Sequence, residues 1–162
     1  MSMKELANHI IAIGDKNDLP VTNVQLQKVM FFALGMHLRK FGIDDLAIDT
    51  YDIPFDKWQY GPVVESIYYR FNYLKDQDIT EKFNGLYHEQ YRNWDKTIKQ
   101  LLQIDVFELV RVSHDMPSWA NYKENIITRN YVKGYTLEEI YEDFSRWIMK
   151  LMKKHSLKYL RN

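Results

Sequence analysis

TNVQLQKVMFFALGMHLRKFG, residues 22–42, is the stretch on which the reading of the fold turns. It opens with a capping box: Thr22 can accept from an early backbone N–H, and Gln25 can reach back to the cap. It closes at Gly42, a residue that suits the position after a helix end. Between them Val24, Leu26, Val29, Met30, Phe32, Ala33, Leu34, Met36 and Leu38 cover most of the helix circumference. A helix that is apolar on most sides must be surrounded by other elements, so this one is expected at the centre of a mainly α-helical fold.

Working outward, Met3, Leu6, Ala7, Ile10 and Ile11 keep helical spacing, and Gly14 is expected to stop that first helix. Downstream, residues 47–60 alternate β-branched and aromatic side chains around Pro54, which predicts two short strands in an edge hairpin. Gly61 and Pro62 read as a cap and first helical position, with Val64, Ile67, Tyr68, Phe71 and Leu74 on the helix that follows. Residues 76–86 read as a loop, and Tyr87 to Leu102 as a fourth helix. Asp105 with Glu108 caps a short fifth helix through Val112, and Pro117 restarts the chain. Thr136 and Glu139 cap the last helix, which carries Leu137, Ile140, Tyr141, Phe144, Ile148 and Leu151 on one face. The expectation is a single compact helical domain over residues 1–162, its core at about 5–150. It has six to seven helices and a small two-stranded β-hairpin.

The 162 residues are about one domain's length, and 46% apolar side chains supply a core. Lys plus Arg and Asp plus Glu are 22 each, so no global field favours nucleic acid or an anionic membrane. Residues 1–81 carry 8 basic and 12 acidic side chains and residues 82–162 carry 14 and 10, a −4 against +4 division. Much of the basic tail answers the dipole of the last helix, which begins at Glu138, Glu139, Glu142 and Asp143 and ends at Lys150, Lys153 and Lys154. There are no cysteines, which fits a reducing compartment and removes disulfides and thiolate chemistry. The N-terminal apolar stretch is too short to span a membrane and lacks a small-residue cleavage site, so a cytoplasmic protein is expected.

Catalytic signatures are weak. His9, His37, His88, His114 and His155 show no metal-ligand spacing, and no Gly-rich phosphate loop is present, so neither a metal nor a cofactor is expected. Ser113, His114 and Asp115 have the residue types of a hydrolase triad, but such triads are assembled from separated segments. A hydrogen-bonded, structural His114 before Pro117 is the favoured reading, with a small hydrolase using His114 as the competing one. The acidic pairs Asp44–Asp45 and Glu138–Glu139 read as solvated charges.

The stretch DKWQYGPVVESIYYRF, residues 56–71, is dense in rings. Ile67 and Tyr68 are placed toward the core, whereas Tyr69 and Tyr73, four apart, share a neighbouring face. Trp58, Tyr60, Tyr69 and Tyr73 are therefore candidate partner-binding residues, since Tyr and Trp give large contact area with few torsions to freeze. Asp44, Asp45, Asp49, Asp52 and Asp56 could speed encounter with a basic partner, or simply guard a solvated hairpin edge.

Three blocks, TNVQLQKVMFFALGMHLRKFG, FDKWQYGPVVESIYYRF and LVRVSHDMPSWANY, occur in an order that resembles the Panacea domain of SocA-like antitoxins, a family also described as phage-associated. The resemblance covers about residues 5–150. Its most specific positions are Leu26, Gln27 and Lys28, then Trp58, Tyr60, Gly61, Pro62 and Val63, then His114 and Trp119. It implies a mostly helical, non-enzymatic protein of bacteria or phages that neutralises a cognate protein toxin by direct contact. It also leaves open a phage-borne inhibitor of a host defence protein, or an adaptor delivering its client to an unfoldase-protease. Many relatives add a DNA-binding domain; this chain has no room for one, so direct nucleic-acid binding is not expected. Where family members often have Gln and Trp, this sequence has Leu34 and Met36. Tyr69, Tyr73 and Tyr131 are not family-defining.

Overall fold

The computed structural model describes residues 1–80 and 85–157. These form ten α-helices and one two-stranded antiparallel sheet: α1 Met3–Lys16, α2 Asn23–Phe41, α3 Asp45–Thr50, β1 Asp56–Trp58, β2 Gly61–Val63, α4 Glu65–Phe71, α5 Asp95–Leu102, α6 Val106–Asp115, α7 Pro117–Ala120, α8 Lys123–Ile127, α9 Leu137–Arg146 and α10 Ile148–Lys154. Part of the loop expected at 76–86 lies outside the described residues.

α2 is the axis of the molecule. Its capping box forms as the sequence requires, with Thr22 accepting from the Gln25 N–H and Gln25 accepting from the Thr22 N–H. It packs against α1, α4, α5, α6, α9 and β2, which is why its buried positions run round the helix instead of along one stripe. Phe31 is the hub of an aromatic cluster whose other members, Phe32, Phe55, Tyr135 and Phe144, lie edge-on at 5.1–5.7 Å. Gly35 is required by the approach of Phe144, because a Cβ there would fall on the Phe144 ring. Buried apolar side chains from α1 to Leu157 form one connected cluster around this centre.

The helix count exceeds the six to seven expected, for local reasons. Residues 47–50, the start of the stretch expected as strand, belong to α3, which Asp44 caps by accepting from the Ala47 N–H. The fourth helix begins as a 3₁₀ segment, Glu89–Trp94, before becoming α5. The last helix is divided at Trp147, where φ is −115°, although the Trp147 N–H still reaches Asp143 and its carbonyl still accepts from Leu151. Gly14 does not stop α1. It is a buried helical position where a Cβ would meet the Leu19 carbonyl at 2.9 Å, and the helix ends at Asn17.

The hairpin exists, but later than expected. Gly61 and Pro62 belong to β2, paired with Trp58 and Lys57, and are not a helix cap and first turn. Gly61 is needed there because its φ is +98° and a Cβ would lie 2.7 Å from the Ser113 hydroxyl.

Candidate partner-binding face and the clamp beneath it

The hairpin is held by side chains from three helices that take its backbone groups one at a time. Lys28 Nζ donates to the Pro62 carbonyl at 2.9 Å, and Gln27 Oε1 accepts from the Val64 N–H at 2.9 Å. Consecutive residues of α2 thus occupy the outer edge of β2 as a third strand would. Pro62 fits this edge because it has no N–H to leave unpaired. From the other side, Trp119 Nε1 donates to the Trp58 carbonyl at 2.9 Å and His114 Nε2 bonds the Gln59 carbonyl at 2.8 Å. A carbonyl only accepts, so His114 carries its proton on Nε2. The His114 and Trp119 rings stack at 3.9 Å, which fixes both donors together. Gln27, Lys28, Gly61, Pro62, Val63, His114 and Trp119 therefore converge on one hairpin, while Leu26 is buried in the core.

Lys28 is 1% exposed, and the Pro62 carbonyl is its one hydrogen-bond partner among the described residues. Burial pushes its ammonium down from 10.5 to about 7. His114 is lowered too, by burial first, and the Lys28 charge adds to this while its bond to Gln59 opposes it. The clamp works with both groups neutral, since an amine and an Nε2–H imidazole each still donate.

Above the clamp the rings emerge. Tyr60, Tyr69 and Tyr73 are 65%, 55% and 61% exposed, and Trp58 is half-buried against Tyr68 and Tyr69. Tyr68 corrects the sequence reading: it is half-buried at the surface, not in the core. Trp58, Tyr60 and Tyr68 line a largely apolar groove of about 1000 Å³ together with Val24 and Phe107. The sequence pattern passed over Phe107 and counted Val24 among the apolar positions of the central helix, whereas both are exposed near the start of their helices.

The acidic run is mostly occupied. Asp44 caps α3 and binds His37, and Asp52 accepts from the Met3 N–H at 2.9 Å. Asp45 and Asp49 remain exposed. Ser113, His114 and Asp115 diverge: Ser113 bonds the Val110 carbonyl, His114 the Gln59 carbonyl, and Asp115 pairs with Lys154 and His155. No proton relay connects them. Glu139 is not a solvated charge, because it closes the α9 capping box and pairs with Lys57 at 2.9 Å. His9 and His37 are structural, bonded to Asp95 and to Asp44 and Trp94 respectively. Among the described residues no three His, Asp or Glu side chains are grouped to hold a metal ion.

The described residues thus form a helical body that holds a short hairpin, with aromatic rings displayed beside it. The family model for the antitoxin SocA-like Panacea domain matches residues 26–120, and the chain belongs to this family. The match starts at Leu26 and ends just past Trp119, so it encloses every element of the clamp; it is shorter than the 5–150 span suggested by the resemblance. No curated protein and no solved structure matches the chain. No helix among the described residues is long and apolar enough to cross a membrane.

Proposed function

We propose that the chain is a single-domain cytoplasmic antitoxin that neutralises a cognate protein toxin by direct, non-enzymatic binding, and that the toxin docks on the face formed by Trp58, Tyr60, Tyr69 and Tyr73 beside the apolar groove. The observation that carries the reading is the position of this face. It lies on the hairpin, α4 and the 3₁₀ turn Asn72–Leu74 that follows, inside the segment that matches the antitoxin family. Nanomolar affinity corresponds to about 12 kcal/mol, and a few aromatic anchors desolvated against a fitted partner can supply a large share of it. The rigid hairpin matters because anchors fixed before binding lose little entropy on docking.

The test is affinity capture of the tagged chain from its native host, followed by size-exclusion chromatography. One small protein co-eluting in stoichiometric amount, and toxic when expressed alone, supports the reading. A chain that elutes alone from every lysate refutes neutralisation by occlusion. A partner that is a defence protein, or a protease with its client, would assign the face to inhibition of host defence or to delivery instead.

A further inference from the structure

Two buried donors on the wall of the apolar groove keep unused capacity. Gln27 and Lys28 both line the groove, and each is 1% exposed. Gln27 Oε1 is taken by the Val64 N–H, and its Nε2 donates once, over 3.5 Å, to Asn23 Oδ1. Lys28 Nζ donates once, to the Pro62 carbonyl. An amide nitrogen carries two N–H groups and an ammonium three, so most of these N–H groups have no acceptor among the described residues. The two heads are neighbours, because the Pro62 carbonyl and the Val64 N–H that they bind lie on one edge of the chain.

Among the described residues no carboxylate pairs with Lys28: the lysines in ion pairs are Lys57 and Lys154. Lys75, Asp76 and Asp105 share the groove lining but are exposed, and Asp105 is occupied in capping α6 through the Phe107 N–H. On α6, Ser113 gives its hydroxyl to the Val110 carbonyl and His114 its Nε2–H to the Gln59 carbonyl, while Tyr60 and Tyr68 add phenols to the lining. The first turns of α2 and α6 open on the same groove, and helix N-termini carry partial positive charge. A buried ammonium without a counter-ion is costly. The buried wall therefore calls for negative charge, and Val24, Val63, Ile104, Phe107 and Val110 around it offer apolar surface.

We propose that the groove receives an aspartate or glutamate of the protein partner, set among apolar side chains, with its carboxylate bonded to Lys28 Nζ and Gln27 Nε2. The inference rests on the partner-binding reading above and gives that partner a chemistry. Charge complementarity selects the anion, because a hydroxyl or amide would leave the ammonium without a counter-charge and a cation would be repelled. A carboxylate only accepts, and it has one oxygen for each donor. Burial lowers Lys28 to about 7, so above that pH the arriving carboxylate draws a proton from solvent onto the amine, and the bond formed is again an ammonium–carboxylate pair.

The probe is the acetylated and amidated tripeptide Leu-Glu-Leu, titrated into the ¹⁵N-labelled chain, with Leu-Gln-Leu as its uncharged isostere. Amide shifts are expected at residues 22–28, 58–63 and 104–110. At pH 7 the glutamyl peptide should bind about tenfold tighter than the glutaminyl one. Its affinity should then fall by up to about tenfold per pH unit toward pH 9, as the free lysine loses its proton, while that of the glutaminyl peptide stays level. His114 is held below its ordinary 6.5 by burial, so this change is not its titration. Lys28→Met should bind both peptides alike at every pH, and Phe107→Ser, at an exposed position outside the clamp, should weaken both. Equal binding of the two peptides, shifts confined to other faces, or a folded Lys28→Met that keeps the preference would each overturn the proposal. Should Lys28→Met lose its folded spectrum, unchanged binding by Phe107→Ser would overturn it instead. A toxin captured from the host that binds Phe107→Ser and a folded Lys28→Met as tightly as the native chain would sink the acidic anchor and leave the antitoxin reading intact. Selective glutamyl-peptide binding in the groove with no captured partner would uphold the anchor site and refute neutralisation.

Discussion

Replacing Lys28 by Met should invert the ranking of variant and native chain between acid and alkaline pH. Lys28 titrates near 7 in the folded chain against 10.5 ordinarily. Below pH 7 it is charged in both states, and the folded state carries the full cost of burying an ammonium. Above pH 7 the folded chain releases the proton while the unfolded chain keeps it until about 10.5, so stability rises with pH across that window. The slope is about 1.4 kcal/mol per pH unit and the whole span at most about 5 kcal/mol. Met removes that penalty but leaves the buried Pro62 carbonyl without its donor, at a cost of about 1–3 kcal/mol. The variant should therefore be the more stable at pH 6 and the less stable at pH 10. Urea unfolding of both proteins at intervals from pH 6 to pH 10 gives the difference curve, in which groups common to both cancel. Parallel profiles would show that Lys28 is solvated or paired in solution, and would refute the account of the clamp.

Three further outcomes follow from named contacts. Gly35→Ala should destabilise by about 1–3 kcal/mol in chemical unfolding, because the displaced Phe144 ring outweighs alanine's gain of about 1 kcal/mol in helix propensity. His114→Ala and Trp119→Phe each remove one donor from the hairpin turn and should cost about 1–2 kcal/mol, with faster amide exchange at residues 59–61; a hydrolytic activity lost from a fully stable His114→Ala would contradict the structural role. Tyr69→Ala with Tyr73→Ala should weaken toxin capture at least tenfold while shifting the melting temperature by only a few degrees, and a large loss of stability would refute their place on the docking face.

How much of this was legible depended on the range of the interaction. The capping boxes at Thr22 and Thr136 were readable because donor and acceptor sit three residues apart, and both form. Gly61–Pro62 misled because the pair suits a helix start locally, whereas its actual geometry is imposed by Lys28, Ser113 and the β1 partner, all remote in sequence. Gly14 misled in the same way: a glycine near a helix end signals a stop, but here it serves the close approach of Leu19 and Val21. The burial of Lys28 was hidden because a lysine in an apolar helix reads as the polar side, and only the elements packed around α2 remove that side. The individual rings of the face were visible, yet their packing was not, since Trp58 meets Tyr68 and Tyr69 only once a strand and a helix come together.

On the proposed docking face, the clamp leaves recognition to side chains. A short exposed hairpin ordinarily invites a partner to add a strand by backbone pairing. Here β2 has its edge filled by Gln27 and Lys28, and the approach to β1 is covered where the Tyr135 N–H takes the Phe55 carbonyl at 2.8 Å. With these backbone groups engaged, the proposed docking draws on the side chains of Trp58, Tyr60, Tyr69 and Tyr73. Tyr69 is largely exposed and meets the hairpin through the rings of Trp58 and Tyr68, not through the hydrogen bonds of the clamp, so it can change without removing any of them. Such a division lets one scaffold keep its fold while its displayed residues are refitted to a different toxin, and it predicts that a partner's preference moves with the rings of α4, not with the motif residues that hold the hairpin.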